Sequence, residues 1–200
     1  LVVSVKKLAR SNVLVHEMNC VETLARVNVL CVDKTGTITR PDMSVSDVVF
    51  LKDNVGKLIA GVAGNMDDDN ETMKAIKNYY HITGRDNSAE RVYSFSSQNK
   101  YSGAVLDGRC YIFGAPEYVL LDTYAEYEDI FERYSGHGER ILVFGECVGD
   151  PCGNIIEEAV NPYAFIILEN EIRDTAKETF GYFASQGVDI VVISGDNPVT

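Results

Sequence analysis

Residues 27–32 (VNVLCV) and 188–193 (VDIVVI) are short runs of mostly β-branched apolar residues. Such runs predict strands buried on both faces. A polar loop follows each one at once. Asp33-Lys34-Thr35-Gly36-Thr37 follows the first, and Ser194-Gly195-Asp196 the second. Ile172, Ala176, Phe180 and Phe183 recur at helical spacing ahead of the second run, with Asp174 in the first turn and Gly187 as a stop. They predict a helix. Helix, buried strand and polar loop together make a fragment of a doubly wound α/β fold. In that fold, ligands gather at the carboxyl ends of parallel strands. Asp33 and Asp196 both fall at such ends.

The chain between these runs has a different pattern. Residues 45–50 predict a strand and residues 57–63 a short helix. Residues 71–80 predict a helix with Met73, Ile76 and Tyr80 on one face. Strands with short turns are expected over 90–95, 101–106, 110–113 and 140–148. Tyr124, Tyr127, Ile130, Phe131 and Tyr134 mark an amphipathic helix. This is an α+β insert over 42–164, long enough for a core of its own. The division expected is 1–41, 42–164 and 165–200. The acidic run Asp67-Asp68-Asp69 is expected to be a solvated helix entry, capped by Asp69 or Asn70.

Composition narrows the function classes. Of 200 residues, 46% are hydrophobic and 24% charged, as in folded domains. The net charge of −12 leaves no bulk basic footprint for nucleic acid. An anionic ligand therefore needs a local cation or backbone-amide site. No apolar run reaches the roughly 18 residues of a membrane helix. No signal peptide is visible and the chain does not begin with Met, so it reads as an excised piece. The five cysteines lack Cys-x-x-Cys pairing and read as buried or idle thiols in a reducing compartment. His16, His81 and His137 have no metal-ligand spacing.

Asp33-Lys34-Thr35-Gly36-Thr37-Ile38-Thr39 carries the most chemistry. A carboxylate at the end of a buried strand, facing the amides of a Gly turn, can attack phosphorus. Gly36 allows close backbone approach to a phosphoryl group. The Thr35 and Thr37 hydroxyls can donate to its oxygens. A plain strand, Gly turn and Asp cap fit the same pattern equally well.

The string DKTGTIT resembles the phosphorylation signature of the P-type ion-pumping ATPases of the haloacid-dehalogenase superfamily. Val21-Glu22-Thr23-Leu24 resembles the segment that leads from membrane to phosphorylation site in calcium-type pumps. Ser194-Gly195-Asp196-Asn197-Pro198 resembles the family's TGDNP loop, with Ser for Thr. The resemblance implies an incomplete Rossmann-like phosphorylation domain with an inserted nucleotide-binding domain. It implies that Asp33 accepts the γ-phosphoryl of ATP, with Lys34 near the phosphate and Thr37 on its oxygens. Asp33 and Thr35 would hold Mg²⁺. Ser194 and Gly195 would hold the transferred group, with Asp196 near the nucleotide. Superfamily phosphatases carry a second Asp where this chain has Thr35, so water attack on the acyl phosphate should be slow.

The insert carries further resemblances. Phe95-Ser96-Ser97-Gln98-Asn99-Lys100 is similar to the family strand in which an aromatic stacks on adenine and a Lys lies near the phosphates. Phe95 and Lys100 take those roles. Gly114-Ala115-Pro116-Glu117 resembles the Lys-Gly-Ala-Pro-Glu string, with Phe113 in place of the Lys. Gly114 then lets the backbone approach the base, and one cationic contact is missing. Arg140 would bridge the β-phosphate region. Asn70-Glu71-Thr72 stands where calcium-type pumps contact the adenine amino group. Arg173 matches the Arg of the Asp-Pro-Pro-Arg hinge and by that resemblance would contact the nucleotide, but Asn170-Glu171-Ile172 replace the residues before it, which leaves the hinge less rigid. None of the histidines precedes Pro, which disfavours the heavy-metal pumps.

The expected whole is a membrane cation-transporting ATPase whose cytosolic segment this chain forms, soluble by itself. Its partners are ATP and the transmembrane and actuator domains of the same parent. The family's Gly-Asp-Gly-x-x-Asn-Asp segment would lie beyond residue 200, so the segment is expected to bind nucleotide weakly and not to phosphorylate itself. A soluble haloacid-dehalogenase phosphatase and a non-catalytic nucleotide-binding module are the alternatives.

Overall fold

The computed structural model describes residues 2–17, 19–67, 70–84, 86–135, 139–152 and 154–193. The chain forms two compact units and passes between them at Thr39/Arg40 and Glu171/Ile172.

The first unit contains helices α1 (Val2–Arg10) and α2 (Cys20–Leu24) and strand β1 (Val29–Asp33). From its second chain segment come helix α7 (Ala176–Ser185) and strand β8 (Asp189–Ile193). β1 and β8 run parallel, with Asp33 opposite Ile193. The sequence predicts strands buried on both faces, but both strands keep exposed positions along their length. The reason is geometric: among the described residues this sheet has two strands, so each has an unpaired edge and part of a face uncovered. The helix expected from Ile172 starts instead at Ala176. Ile172 ends a strand and is 66% exposed, and the Arg173 amide donates to the Ile38 carbonyl at 3.0 Å, which keeps this stretch out of the helix.

The second unit is a six-stranded sheet in the order β2-β7-β6-β5-β4-β3. Its strands are β2 (Thr39–Phe50), β3 (Arg91–Tyr93), β4 (Tyr101–Leu106), β5 (Arg109–Gly114), β6 (Arg140–Glu146) and β7 (Asn161–Ile172). β3 to β7 pair antiparallel. The expected division at 164/165 falls inside β7. That strand runs unbroken because 164–168 are buried on alternating faces: Ala164, Ile166 and Leu168 on one, Phe165 and Ile167 on the other.

Helices α3 (Val55–Asn65) and α4 (Glu71–Tyr79) cover the first face. Ile59, Val62, Met73 and Ile76 pack there with Phe113, Phe144 and Ile166. Helices α5 (Pro116–Val119) and α6 (Glu128–Ser135) and a 3₁₀ turn (Leu121–Tyr127) belong to the second face. Tyr101, Val119 and Phe131 pack there with Val143 and Phe165. The amphipathic segment expected near 124–134 thus divides into a 3₁₀ turn and an α-helix. Both faces of the sheet are buried, which accounts for the nearly continuous apolar text of β7. Asn70 caps α4, its Oδ1 accepting the Met73 amide at 2.8 Å. Asp68 and Asp69 lie outside the described residues.

Candidate functional site

One cavity of about 170 Å³ in the second unit gathers residues from five segments. Ser102 on β4 and Phe113 on β5 are directly opposed partners and form its floor. Leu142 on β6 continues the floor. Phe95 and Lys100 come from the β3–β4 connection, and Asn70, Thr72 and Met73 from the start of α4. Met73, Phe95, Phe113 and Leu142 give apolar surface; Asn70, Thr72, Lys100 and Ser102 give polar edges. A drug-sized ligand fills roughly 300–1,000 Å³. This cavity accepts one ring system and leaves the rest of a ligand in solvent.

Phe95 is 48% exposed, so its ring is available for stacking. Lys100 has a left-handed backbone with φ +59°. Its amide donates to the Ser96 carbonyl at 2.9 Å, and its carbonyl accepts from the Ala115 amide at 3.2 Å. The Ser96 hydroxyl also accepts the Asn99 amide at 3.0 Å. The strand-turn backbone therefore fixes where the lysine stem starts. Phe113 is 2% exposed and its ring centroid lies 4.9 Å from that of Phe144. It extends the apolar wall at the position where the resemblance expects a cation.

Gly114 is adjacent to Phe113 but lies against the opposite layer. A Cβ there would sit 2.3 Å from Val119 Cγ1 and 3.3 Å from Tyr101 Cβ. This packing explains the glycine, and Gly114 does not line the cavity among the described residues. Arg140 opens β6 two residues before Leu142, which alternation puts on the same strand face. It is exposed. A larger cavity of about 270 Å³ is lined by Cys147, Asp150, Glu157 and Glu158 among others. Its carboxylates oppose a phosphate ligand, so the smaller cavity is the better anion-tolerant site.

The second cluster lies in the first unit. Asp33 ends β1, and the chain then makes an irregular turn over Lys34–Ile38. Thr35 is extended and Gly36 turns at φ +77°, a conformation that glycine adopts without penalty. The Gly36 amide donates to Thr39 Oγ1 at 3.1 Å. The Thr39 amide donates to the Lys34 carbonyl. Arg173 is brought to this turn across 136 residues: Nε donates to the Thr37 carbonyl and Nη2 to the Gly36 carbonyl, both at 3.0 Å. Ser194, Gly195 and Asp196 lie outside the described residues. Ile193, the residue before them, is the β-partner of Asp33. Among the described residues no group of three or more His, Cys, Asp or Glu is placed to hold a metal ion. Of the cysteines, Cys110 and Cys147 are buried, whereas Cys31 and Cys152 are exposed.

The sequence pattern does not single out Ser102 or Leu142, and it marks Met73 only as part of a helix face. Leu142 is two residues beyond Arg140 on β6, so alternation ties it to a named residue; Lys100, at φ +59° before β4, gives no such tie to Ser102. The strand pairing that joins them is invisible in one dimension.

No family model matches the chain. The calcium-transporting ATPase CtpE of Mycolicibacterium smegmatis is 38% identical over 200 residues, covering 99% of this chain and 25% of that protein. The probable cation-transporting ATPase exp7 of Streptococcus pneumoniae is 36% identical over 208 residues, covering 100% of this chain and 26% of that protein. The chain thus spans about a quarter of the length of these relatives. Among solved structures, the catalytic domain of the CPx-ATPase CopB-B matches with TM-score 0.65 at 13% identity, covering 96% of this chain and 64% of that one. A zinc-transporting PIB-type ATPase matches with TM-score 0.58 at 19% identity, over 88% of this chain and 27% of that one. These structures share the fold: an α/β unit joined to an antiparallel sheet with helices. No helix among the described residues is long and apolar enough to cross a membrane. By sequence the chain belongs to the cation-transporting P-type ATPases, as a segment about a quarter of their length.

Proposed function

We propose that this segment supplies the ATP-binding surface and the phosphoryl acceptor of a membrane cation-transporting ATPase. The observation that carries the reading is the cavity: Phe95 and Lys100 line it together with Asn70 and Thr72. Phe95 stacks on one face of the adenine, with Met73, Phe113 and Leu142 as the apolar wall. Lys100 and Arg140 lie toward the phosphates as cations. Gly114 keeps β5 tight against Val119, so that the wall holds its position.

In the first unit, an Asp33 carboxylate oxygen attacks the γ-phosphorus of ATP. An oxygen–phosphorus bond forms at Asp33, the bond to the bridging oxygen breaks, and ADP leaves with that oxygen. Lys34 and the Thr37 hydroxyl stabilise the charge on the transferred group. By the family resemblance, Ser194 and Gly195 hold it, with Asp196 near the nucleotide. Asp33 and Thr35 fit a Mg²⁺ ion, since this ion takes one or two carboxylates and completes its shell with phosphate and water. Held there, the ion would supply neutralisation of phosphate charge in the transition state. Thr35 has no carboxylate with which to activate water, so the acyl phosphate persists. The transmembrane and actuator domains of the parent are the partners that use this lifetime for transport.

Two measurements test the reading. Titrating ATP into the chain without Mg²⁺ should show affinity weakened about 5- to 150-fold by Phe95→Ala, since stacking contributes about 1–3 kcal/mol. Unchanged affinity excludes this cavity. In the full-length protein, ³²P from labelled ATP should label the wild type and not Asp33→Asn, while the isolated segment takes up none. Label surviving in Asp33→Asn removes Asp33 as the acceptor.

A further inference from the structure

We infer that Arg173 is a positioning residue that sets the orientation of the Gly36–Ile38 backbone for phosphoryl transfer, rather than a contact to the nucleotide. Three consecutive carbonyls of this turn accept hydrogen bonds from this one residue. Gly36 and Thr37 accept from the guanidinium, and Ile38 from the Arg173 amide, each at 3.0 Å. Two of these bonds are charge-assisted and leave the fork geometry of the guanidinium with a defined target. In a planar trans peptide the carbonyl and the following amide point in opposite directions. Drawing the Gly36 and Thr37 carbonyls toward Arg173 therefore turns the Thr37 and Ile38 amides away from it. The backbone turn that follows Asp33 thus has its orientation set from one side by a cation. Gly36 at φ +77° allows its carbonyl to take that direction.

The opposite side of the turn is also fixed. Thr39 is 5% exposed, its hydroxyl accepts the Gly36 amide, and its own amide donates to Lys34. Arg173 is the second residue after the second crossing between the units, and Ile38 is the second residue before the first. The Arg173 amide bond joins these two crossing segments. Its side chain then extends the same link to Thr37 and Gly36. A substitution at Arg173 frees the turn without touching the cavity around Phe95. The inference rests on Asp33 being the phosphoryl acceptor.

The experiment uses the full-length protein in membranes. Single-turnover labelling from γ-³²P-ATP gives the phosphorylation rate at saturating ATP and the half-saturating ATP concentration. Arg173→Ala should lower the saturating rate by ten- to about a hundredfold, the scale of a misplacement near 1 Å. Its half-saturating ATP should stay within twofold. Arg173→Lys, which keeps the charge but not the fork, should recover part of the rate. A raised half-saturating ATP with an unchanged rate makes Arg173 a nucleotide contact and overturns the inference; so does an unchanged rate in Arg173→Ala. Unaltered binding of a fluorescent ATP analogue by the same variant shows that the protein is folded. Failure of the underlying reading has its own signature, because the wild type would then take up no label or Asp33→Asn would keep it.

Discussion

Replacing Lys100 by glycine should move stability and nucleotide affinity in opposite directions. Lys100 sits at φ +59° and is held there by the Ser96 carbonyl and the Ala115 amide. An L-residue in this region lies about 1–2 kcal/mol above glycine. Glycine in turn gains freedom in the unfolded chain, about 0.5–1 kcal/mol. The net change is a stability gain between zero and about 1.5 kcal/mol. The same substitution removes the Lys100 ammonium, the cation proposed to face the phosphates. At about 5 Å from a phosphate oxygen, that charge contributes roughly 1 kcal/mol in water and roughly 3 kcal/mol at an effective dielectric near 20. ATP affinity should therefore fall about 5- to 150-fold. Adenosine has no phosphate, so its affinity should hold. Urea unfolding measures the first quantity; calorimetric titration with ATP, ADP and adenosine measures the second. Unchanged ATP affinity, or an equal loss for adenosine, refutes the role given to the lysine. A stability loss refutes the backbone argument.

Gly114→Ala should lower stability by about 1–3 kcal/mol, because its Cβ meets Val119 Cγ1 at 2.3 Å and buried β5 has little room to shift; an unchanged urea midpoint contradicts this packing. Asp150 is held below the usual carboxylate value first by the Tyr93 hydroxyl, and further by the Cys152 amide and Arg91. Its stabilising effect is present above the unfolded value near 3.9 and is lost as pH falls through the lower folded value. Asp150→Asn should therefore be less stable than the wild type at pH 7, with the gap closing below about pH 4. A gap of equal size at pH 7 and pH 3 in urea midpoints rules this out.

Several elements were legible because their cause is local. The period of Met73 and Ile76 predicts α4, and the Asn70 cap is a side chain bonding three residues ahead in its own chain. Continuous apolar text predicts β7, since a strand covered on both faces has no polar alternation. Boundaries were less legible where tertiary bonds decide them. Ile172 fits a helical stripe, yet the Arg173 amide bonds to Ile38 and keeps the chain extended. Burial of β1 and β8 was overestimated because burial depends on neighbours, and two strands give each other one edge.

The sequence by itself determined the chemistry available: an acidic residue after a short strand, a glycine turn, and an aromatic and a lysine five residues apart. Those are properties of residue type and near spacing, which a single chain displays directly. Tertiary structure alone decided which of them meet. Pairing of β4 with β5 puts Ser102 beside Phe113 and turns Gly114 to the other layer, because successive strand residues face opposite ways. Tertiary structure also carries Arg173 across 136 positions to the Thr37 carbonyl and 137 to the Gly36 carbonyl, a contact with no periodic signal because it belongs to the folded chain and not to any local repeat.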